Sequence, residues 1–234
     1  TAVRPQGSAD YERYIGTWTV TTTSSEVTGQ PQTYTIRIEP YRNDKSYKVY
    51  DWGVTTLGSK EEDFPFILSY NEADGSVGIN SYEDLGMYGF TYYIYLRYRF
   101  LNEQSQPSIW VSEDTLVSGA YDAASNEITI TCGTFNDNSG ITQKITGLDY
   151  VLYTGGKYYE AQNLIRPGYL IGEGDNAKVD YGVGPYKLTK APAAAAVPAK
   201  RPAKKFESLR PASETKQAAA VPLGVGRLSM MSVH

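Results

Sequence analysis

Met87-Tyr-Gly-Phe-Thr-Tyr-Tyr-Ile-Tyr-Leu-Arg-Tyr-Arg-Phe-Leu101 is the longest alternating stretch of the chain, and its period decides the fold class. In an extended segment Tyr88, Phe90, Tyr92, Ile94, Leu96, Tyr98 and Phe100 share one face. Gly89, Thr91, Tyr93, Tyr95, Arg97 and Arg99 share the other. A helix would scatter both sets around its circumference, so 87–101 reads as one long β-strand with an apolar inner face. The same alternation recurs in Thr33-Tyr-Thr-Ile-Arg-Ile-Glu39, where Tyr34, Ile36 and Ile38 point one way.

Turn chemistry links such segments into hairpins. Asp74-Gly75 separates Phe66–Tyr70 from Val77–Ile79; Tyr121–Glu127 separates Leu116–Ala120 from Ile128–Ile130; Thr154-Gly-Gly156 separates Asp149–Tyr153 from Lys157–Tyr159. The expectation is an all-β fold, an antiparallel meander of about eight to ten strands that closes as a barrel, with a two-sheet sandwich as the alternative. The only helical candidate is a short one at Glu160–Ile165. Residues 1–13 form a lead-in, 14–189 the β domain, and 190–234 an extended tail rich in alanine, proline and lysine.

Charge divides at the same place. Residues 1–186 carry 13 basic and 24 acidic side chains, and residues 187–234 carry 9 and 2. Alanine, proline and lysine without aromatic anchors cannot offset ordering entropy, so the tail reads as a solvated segment. Its basic residues are diluted and lack aromatic interleaving, which argues against a nucleic-acid partner. The start, Thr1-Ala-Val-Arg-Pro, has no hydrophobic signal core and reads as a trimmed terminus.

Composition narrows the chemistry. His234 is the only histidine and Cys132 the only cysteine, which removes histidine-based triads, intramolecular disulfides and multi-cysteine zinc sites. Cys132, inside Glu127–Cys132, reads as a small buried hydrophobe. Glu61-Glu62-Asp63, Glu83-Asp84 and Glu113-Asp114 read as solvated acidic loops rather than a carboxylate pair across a cleft. Asn136–Gly140 and Glu173–Asn176 are oxygen-rich turns; neither supplies the bidentate glutamate of a calcium loop, and each reads as a turn bonding its own backbone. No metal, cofactor or catalytic set is expected, although enzyme activity stays open.

Tyrosine is abundant, with 21 against 6 phenylalanines and 3 tryptophans. Its apolar ring and polar tip suit half-buried strands and wet binding surfaces equally. Two placements follow for the long strand's outer residues. Tyr93, Tyr95, Arg97 and Arg99, joined by Trp52 and Trp110, would form an exposed platform for a sugar or planar anion. If the sheet is covered on both faces, they are core residues instead.

Tyr14-Ile-Gly-Thr-Trp18 opens the first strand and resembles the Gly-x-Trp start of lipocalins and the Gly-Thr-Trp of avidin barrels. The resemblance implies that Gly16 and Trp18 close one end of a barrel beneath a cavity. Asp149-Tyr150 with Tyr153 resembles the lipocalin Thr-Asp-Tyr motif, with Gly147 and Leu148 intervening and with extra strands or loops between it and Trp18. Together with Tyr34–Ile38 and the Tyr121–Ile130 hairpin, residues 14–153 resemble the lipocalin-like domains of gut-bacterial surface lipoproteins. That resemblance implies an extracytoplasmic location, at the cell surface or periplasm of a Gram-negative bacterium, with a signal peptide and a lipid-anchored cysteine upstream.

Three functions compete. A non-catalytic protein would bind a small apolar or amphipathic, lipid-like ligand inside a barrel lined by Trp18, Tyr34, Tyr92 and Tyr98. A surface module would grip a glycan or protein with Tyr93, Tyr95 and Arg97. A carboxylate-based hydrolase ranks third.

Overall fold

A computed structural model describes residues 4–55, 65–81, 83–88, 91–102, 107–110, 112–160, 165–166, 168–172 and 178–191. The proposed tail from residue 192 on, the acidic run at 61–63 and the turn at 173–176 lie outside the described residues; Lys190 belongs to the last strand.

Eight strands close a barrel: β1 (Gly16–Ser25), β2 (Thr33–Arg42), β3 (Ser46–Tyr50), β5 (Phe66–Tyr70), β6 (Ser76–Ile79), β10 (Val117–Asp122), β11 (Glu127–Cys132) and β17 (Lys178–Lys190). Each pairs antiparallel with the next, and β17 returns to β1 through Trp18↔Lys190, Val20↔Leu188 and Thr22↔Tyr186. The barrel therefore has no free edge. Thr17, Thr19 and Thr21 of β1 face away from the interior and Trp18, Val20 and Thr22 face in, beside Tyr34, Ile36 and Ile38 of β2. The predicted alternation of 33–39 and the hairpins at 66–79 and 116–130 are all present.

The two ends of the barrel differ. At the near end the connections are tight turns whose corners are Asp44, Gly75 and Asn126, all in the left-handed region. A single helical turn, α1 (Ala9–Glu12), precedes β1 and brings Tyr11 and Tyr14 across this end. Tyr11 stacks on Tyr47 with ring centroids 4.4 Å apart, and Trp18 meets Tyr121 edge-on. The buried polar tips of Tyr11, Tyr14, Tyr47 and Trp18 are each satisfied. Tyr11 Oη donates to the Ser46 carbonyl at 2.8 Å, Tyr47 Oη to the Tyr11 carbonyl at 2.8 Å, and Trp18 Nε1 to the Tyr14 carbonyl at 2.8 Å. Tyr14 Oη donates to Gly75 and accepts from the Tyr121 amide. This end is a hydrogen-bonded aromatic plug.

At the far end the chain makes long excursions between barrel strands. The first holds β4 (Val54–Thr55); the second holds β7 (Glu83–Tyr88), β8 (Tyr92–Leu101) and β9 (Pro107–Trp110). The third holds β12 (Thr134–Asn136), β13 (Thr142–Thr154), β14 (Lys157–Glu160), β15 (Ile165–Arg166) and β16 (Gly168–Ile171). Strands β12, β13, β8 and β7 form a second sheet in that order, with β9 on β8 and β14 on β13; β15 pairs with β4, and β16 with the start of β17. We call this second sheet the cap. One of its faces, with Ile94, Leu96, Tyr98, Phe100, Leu148 and Tyr150, belongs to the same apolar core as the barrel interior.

The structure departs from several of the sequence expectations. Residues 87–101 are not one strand: Met87 pairs with Tyr93 and Tyr88 with Tyr92, so the chain reverses between β7 and β8. Residues 89 and 90, within that reversal, lie outside the described residues. Nor is β8 a barrel stave. Its alternation is the same whether its apolar face closes a barrel wall or lies against a barrel mouth. β13, with Asp149 and Tyr150, is likewise in the cap. The candidate helix at Glu160–Ile165 has its first residue in β14 and its last in β15, with 161–164 undescribed.

Candidate functional site

Polar fastenings hold the cap on the barrel. Tyr98 Oη donates to the Ile79 carbonyl at the end of β6 (2.6 Å) and accepts from the Leu116 amide before β10 (3.0 Å). Arg99 makes two bonds to Glu26, just past β1, at 2.8 and 2.9 Å, and its guanidinium lies 3.7 Å from the centre of the Tyr181 ring. Arg97 Nη2 meets Asp149 Oδ2 at 3.1 Å, and Tyr181 Oη donates to Asp149 Oδ1. Burial drives the Glu26 carboxyl above its ordinary value, and Arg99 holds it back. Burial lowers Arg99, but Tyr181, Glu26 and Asp149 outweigh it and the net direction is up.

The exposed platform expected at Tyr93, Tyr95, Arg97 and Arg99 is therefore covered. Arg97 is 5% exposed and Arg99 6%, Tyr95 is buried, and Tyr93 is half-buried and stacked on it at 6.5 Å. Trp52 and Trp110 are buried as well. The physical reason is charge pairing: the polar outer residues of β8 find Glu26 and Asp149, so the cap's second face can be covered by the start of β17 and the segment after β1.

The residues named as a barrel lining are not brought together. Trp18 is in the near-end plug, Tyr98 is a cap fastening, and Tyr92 is half-buried at the start of β8. Tyr34 alone lies on the barrel wall at the far end. There it meets Trp52 edge-on at 6.1 Å, and Trp52 in turn meets Phe66 at 5.7 Å and Tyr186 at 5.1 Å. Trp52 is 2% exposed and Tyr34 8%, yet Trp52 Nε1, Tyr34 Oη and Tyr186 Oη have no hydrogen-bond partner among the described residues. An unsatisfied buried donor costs about 1–3 kcal/mol. Burial pushes the Tyr34, Tyr150 and Tyr186 hydroxyls well above the ordinary phenol range, so all three are neutral.

One acidic residue joins this cluster, against its reading as part of a solvated loop. Glu83 pairs with Leu96, and Leu96 with Tyr150, so the row Glu83–Leu96–Tyr150 runs across the cap on its barrel-facing side. The Glu83 carboxylate accepts from the Ile67 amide at 2.9 and 3.2 Å, next to Phe66 of the ring cluster. Burial raises its pKa to about 7. Simple alternation misplaces this residue because the β7–β8 register shifts between Asp84 and Gly86, and Gly86 takes a φ of +106° that glycine tolerates.

Elsewhere the chemistry is plain. Glu113 and Asp114 are exposed. In the turn at 136–140, Asp137 Oδ1 accepts from the Ser139 and Ile141 amides, as an aspartate turn does. Burial pushes the Cys132 thiol up to about 12. Among the described residues no group of three His, Cys, Asp or Glu could hold a metal, and no helix is long and apolar enough to cross a membrane. No protein-family model, curated protein or solved structure matches the chain.

Proposed function

We propose that the protein is a non-catalytic binding protein holding a small amphipathic ligand between the mouth of the barrel and the cap. The carrying observation is the contrast between the ends: the near-end tips of Tyr11, Tyr14, Tyr47 and Trp18 are each paired, whereas Tyr34 Oη and Trp52 Nε1 are buried at the far end without partners among the described residues. An eight-stranded barrel is wide enough for packed side chains or for one small ligand, and the far end has the aromatic wall and few polar groups that ligand sites use. Access requires the cap, fastened by polar contacts rather than by continuation of the barrel ladder, to shift. The lipocalin-type start at Gly16-Thr-Trp18, and the likeness to lipid-anchored domains, favour an extracytoplasmic setting for this role. The test is titration of the purified protein with a neutral amphipathic fluorophore, 6-propionyl-2-(dimethylamino)naphthalene, following tryptophan quenching. Saturable one-to-one binding that loses its quenching in Trp52→Phe is expected; absence of saturable binding would overturn the reading.

A specific surface favours the second reading, a glycan or protein contact. Tyr41 is exposed on β2, with Lys48 Nζ 4.7 Å and the Arg42 guanidinium 5.4 Å from its ring centre, and Arg37 covers the neighbouring Tyr50 at 4.4 Å. Loss of glycan-array binding in Tyr41→Ala would support it; an array without any signal would remove it.

A further inference from the structure

We infer that the chamber under the cap selects a small organic cation, a primary ammonium on an aromatic body, with Glu83 as its counter-charge. This rests on the reading of that chamber as a ligand site and names the ligand's chemistry.

The chamber offers three things to a guest. The first is one carboxylate, Glu83, whose only hydrogen-bond partner among the described residues is the Ile67 amide. No described cation pairs with it, in contrast to Asp149 and Glu26, which each have an arginine. A carboxylate taken out of water without a cation is costly, and a cationic guest would offset that cost. The second is a wall of rings, Tyr34, Trp52, Phe66, Tyr150 and Tyr186, whose negative faces favour a cation and whose area favours a flat apolar body. The third is the set of unsatisfied tips on Tyr34, Trp52 and Tyr186. Trp52 Nε1 can only donate and so asks the guest for an acceptor oxygen, while Tyr34 Oη can also accept from an ammonium.

An anionic guest fits poorly. It would sit beside Glu83 with no basic side chain facing it from the described strands. Around Glu83 stand Leu96 of β8, Tyr150 of β13 and the Ile67 amide of β5, and the Tyr150 phenol is neutral. The raised carboxyl agrees with this setting, since a solvated or cation-paired glutamate would not be held near 7. Binding an ammonium requires the ionised carboxylate, so association at or below neutral pH should release a proton.

The experiment is calorimetric titration of the whole chain at pH 8 with four probes of similar size: tyramine, 2-phenylethylamine, 2-phenylethanol and 3-phenylpropanoate. Tyramine is expected to bind about tenfold or more tighter than the propanoate. Glu83→Gln keeps an acceptor for the Ile67 amide and should cost the amines about tenfold while leaving 2-phenylethanol within roughly twofold. Trp52→Phe keeps a ring and loses the N–H, so it should erase the advantage of tyramine over 2-phenylethylamine. Repeating the amine titration at pH 6.5 in two buffers of different ionisation heat should show proton release in the wild type and none in Glu83→Gln. Equal binding of the propanoate, or amine affinity untouched by Glu83→Gln, would overturn the cation assignment while leaving a ligand chamber. Binding of none of the four probes, together with none of the naphthalene fluorophore, would overturn both.

Discussion

Replacing Arg99 with methionine should loosen the cap before it unfolds the barrel. Arg99 and Glu26 are both buried, with two hydrogen bonds at 2.8 and 2.9 Å joining the cap strand β8 to the end of barrel strand β1. At an effective dielectric constant of about 20, charges 2.8 Å apart attract by about 6 kcal/mol, most of it offset by desolvation. The single substitution removes the attraction and keeps the desolvated carboxylate, a change that costs about 3–5 kcal/mol. In a domain of this size that lowers the melting temperature by about 6–20 °C. Glu26 is already held above its ordinary value by burial, so without Arg99 it takes up a proton more readily, and the loss should be smaller at pH 5 than at pH 8. Adding Glu26→Gln to Arg99→Met should recover part of the loss, because no buried charge then remains. The assay is urea unfolding followed by far-ultraviolet circular dichroism, with hydrogen exchange to separate β8 and β13 amides from those of the barrel. A loss below about 1 kcal/mol, or strictly additive single and double variants, would refute the fastening role.

Three further outcomes are expected. Tyr98→Phe leaves the Ile79 carbonyl and the Leu116 amide without their shared partner and should cost about 1–3 kcal/mol in urea unfolding. Cys132, with its thiol pushed up to about 12, should react with a disulfide reagent at pH 8 far more slowly in the native protein than in urea. Glu83, raised from 4.5 to about 7, favours the folded state most at or below its unfolded pKa, and that contribution is lost as pH rises through about 7. The wild type should therefore lose up to about 3 kcal/mol of stability between pH 4.5 and 8 that Glu83→Gln does not lose, read from unfolding curves across that range.

Much of the barrel is legible because its strands obey two local rules, alternation and turn chemistry. Thr33–Glu39 alternates, Asp74-Gly75 turns, and Trp18 of Gly16-Thr-Trp18 lies in the near-end plug. The division between barrel and cap is not legible in the same way. Ile94, Leu96, Tyr98 and Phe100 form one apolar face in either role, and which sheet β8 joins depends on pairing with β13, about fifty residues further along the chain. Arg97 and Arg99 read as solvent-facing because the partners that bury them, Asp149 and Glu26, are 52 and 73 positions away. The helix α1 is too short to show a period, and only its Ser8 cap signals it. Of the site, Tyr34 is visible in sequence and Trp52 only as an aromatic beside a loop. Glu83 is hidden by the register shift next to it.

The two ends of the barrel use the same residue types for different purposes, and a pair of matched substitutions separates those purposes. At the near end Tyr47 Oη donates to the Tyr11 carbonyl, which also accepts from the Tyr14 amide at 3.3 Å, so Tyr47→Phe removes the shorter of its bonds and should cost about 1 kcal/mol. At the far end Tyr34 Oη has no partner among the described residues, so Tyr34→Phe removes a buried polar atom that earns nothing in the free protein. It should leave stability within about 0.5 kcal/mol or raise it, because the desolvation cost disappears with the hydroxyl. A residue kept purely for packing would have no reason to carry that oxygen, since phenylalanine fills the same space. Binding should move the opposite way. The Tyr34→Phe chamber keeps its rings and its carboxylate but loses one acceptor, so amines should bind it several-fold more weakly while the near-end variant binds as the wild type does. If Tyr34→Phe instead destabilises the fold as much as Tyr47→Phe, the hydroxyl is structural, and the far end is only a second plug.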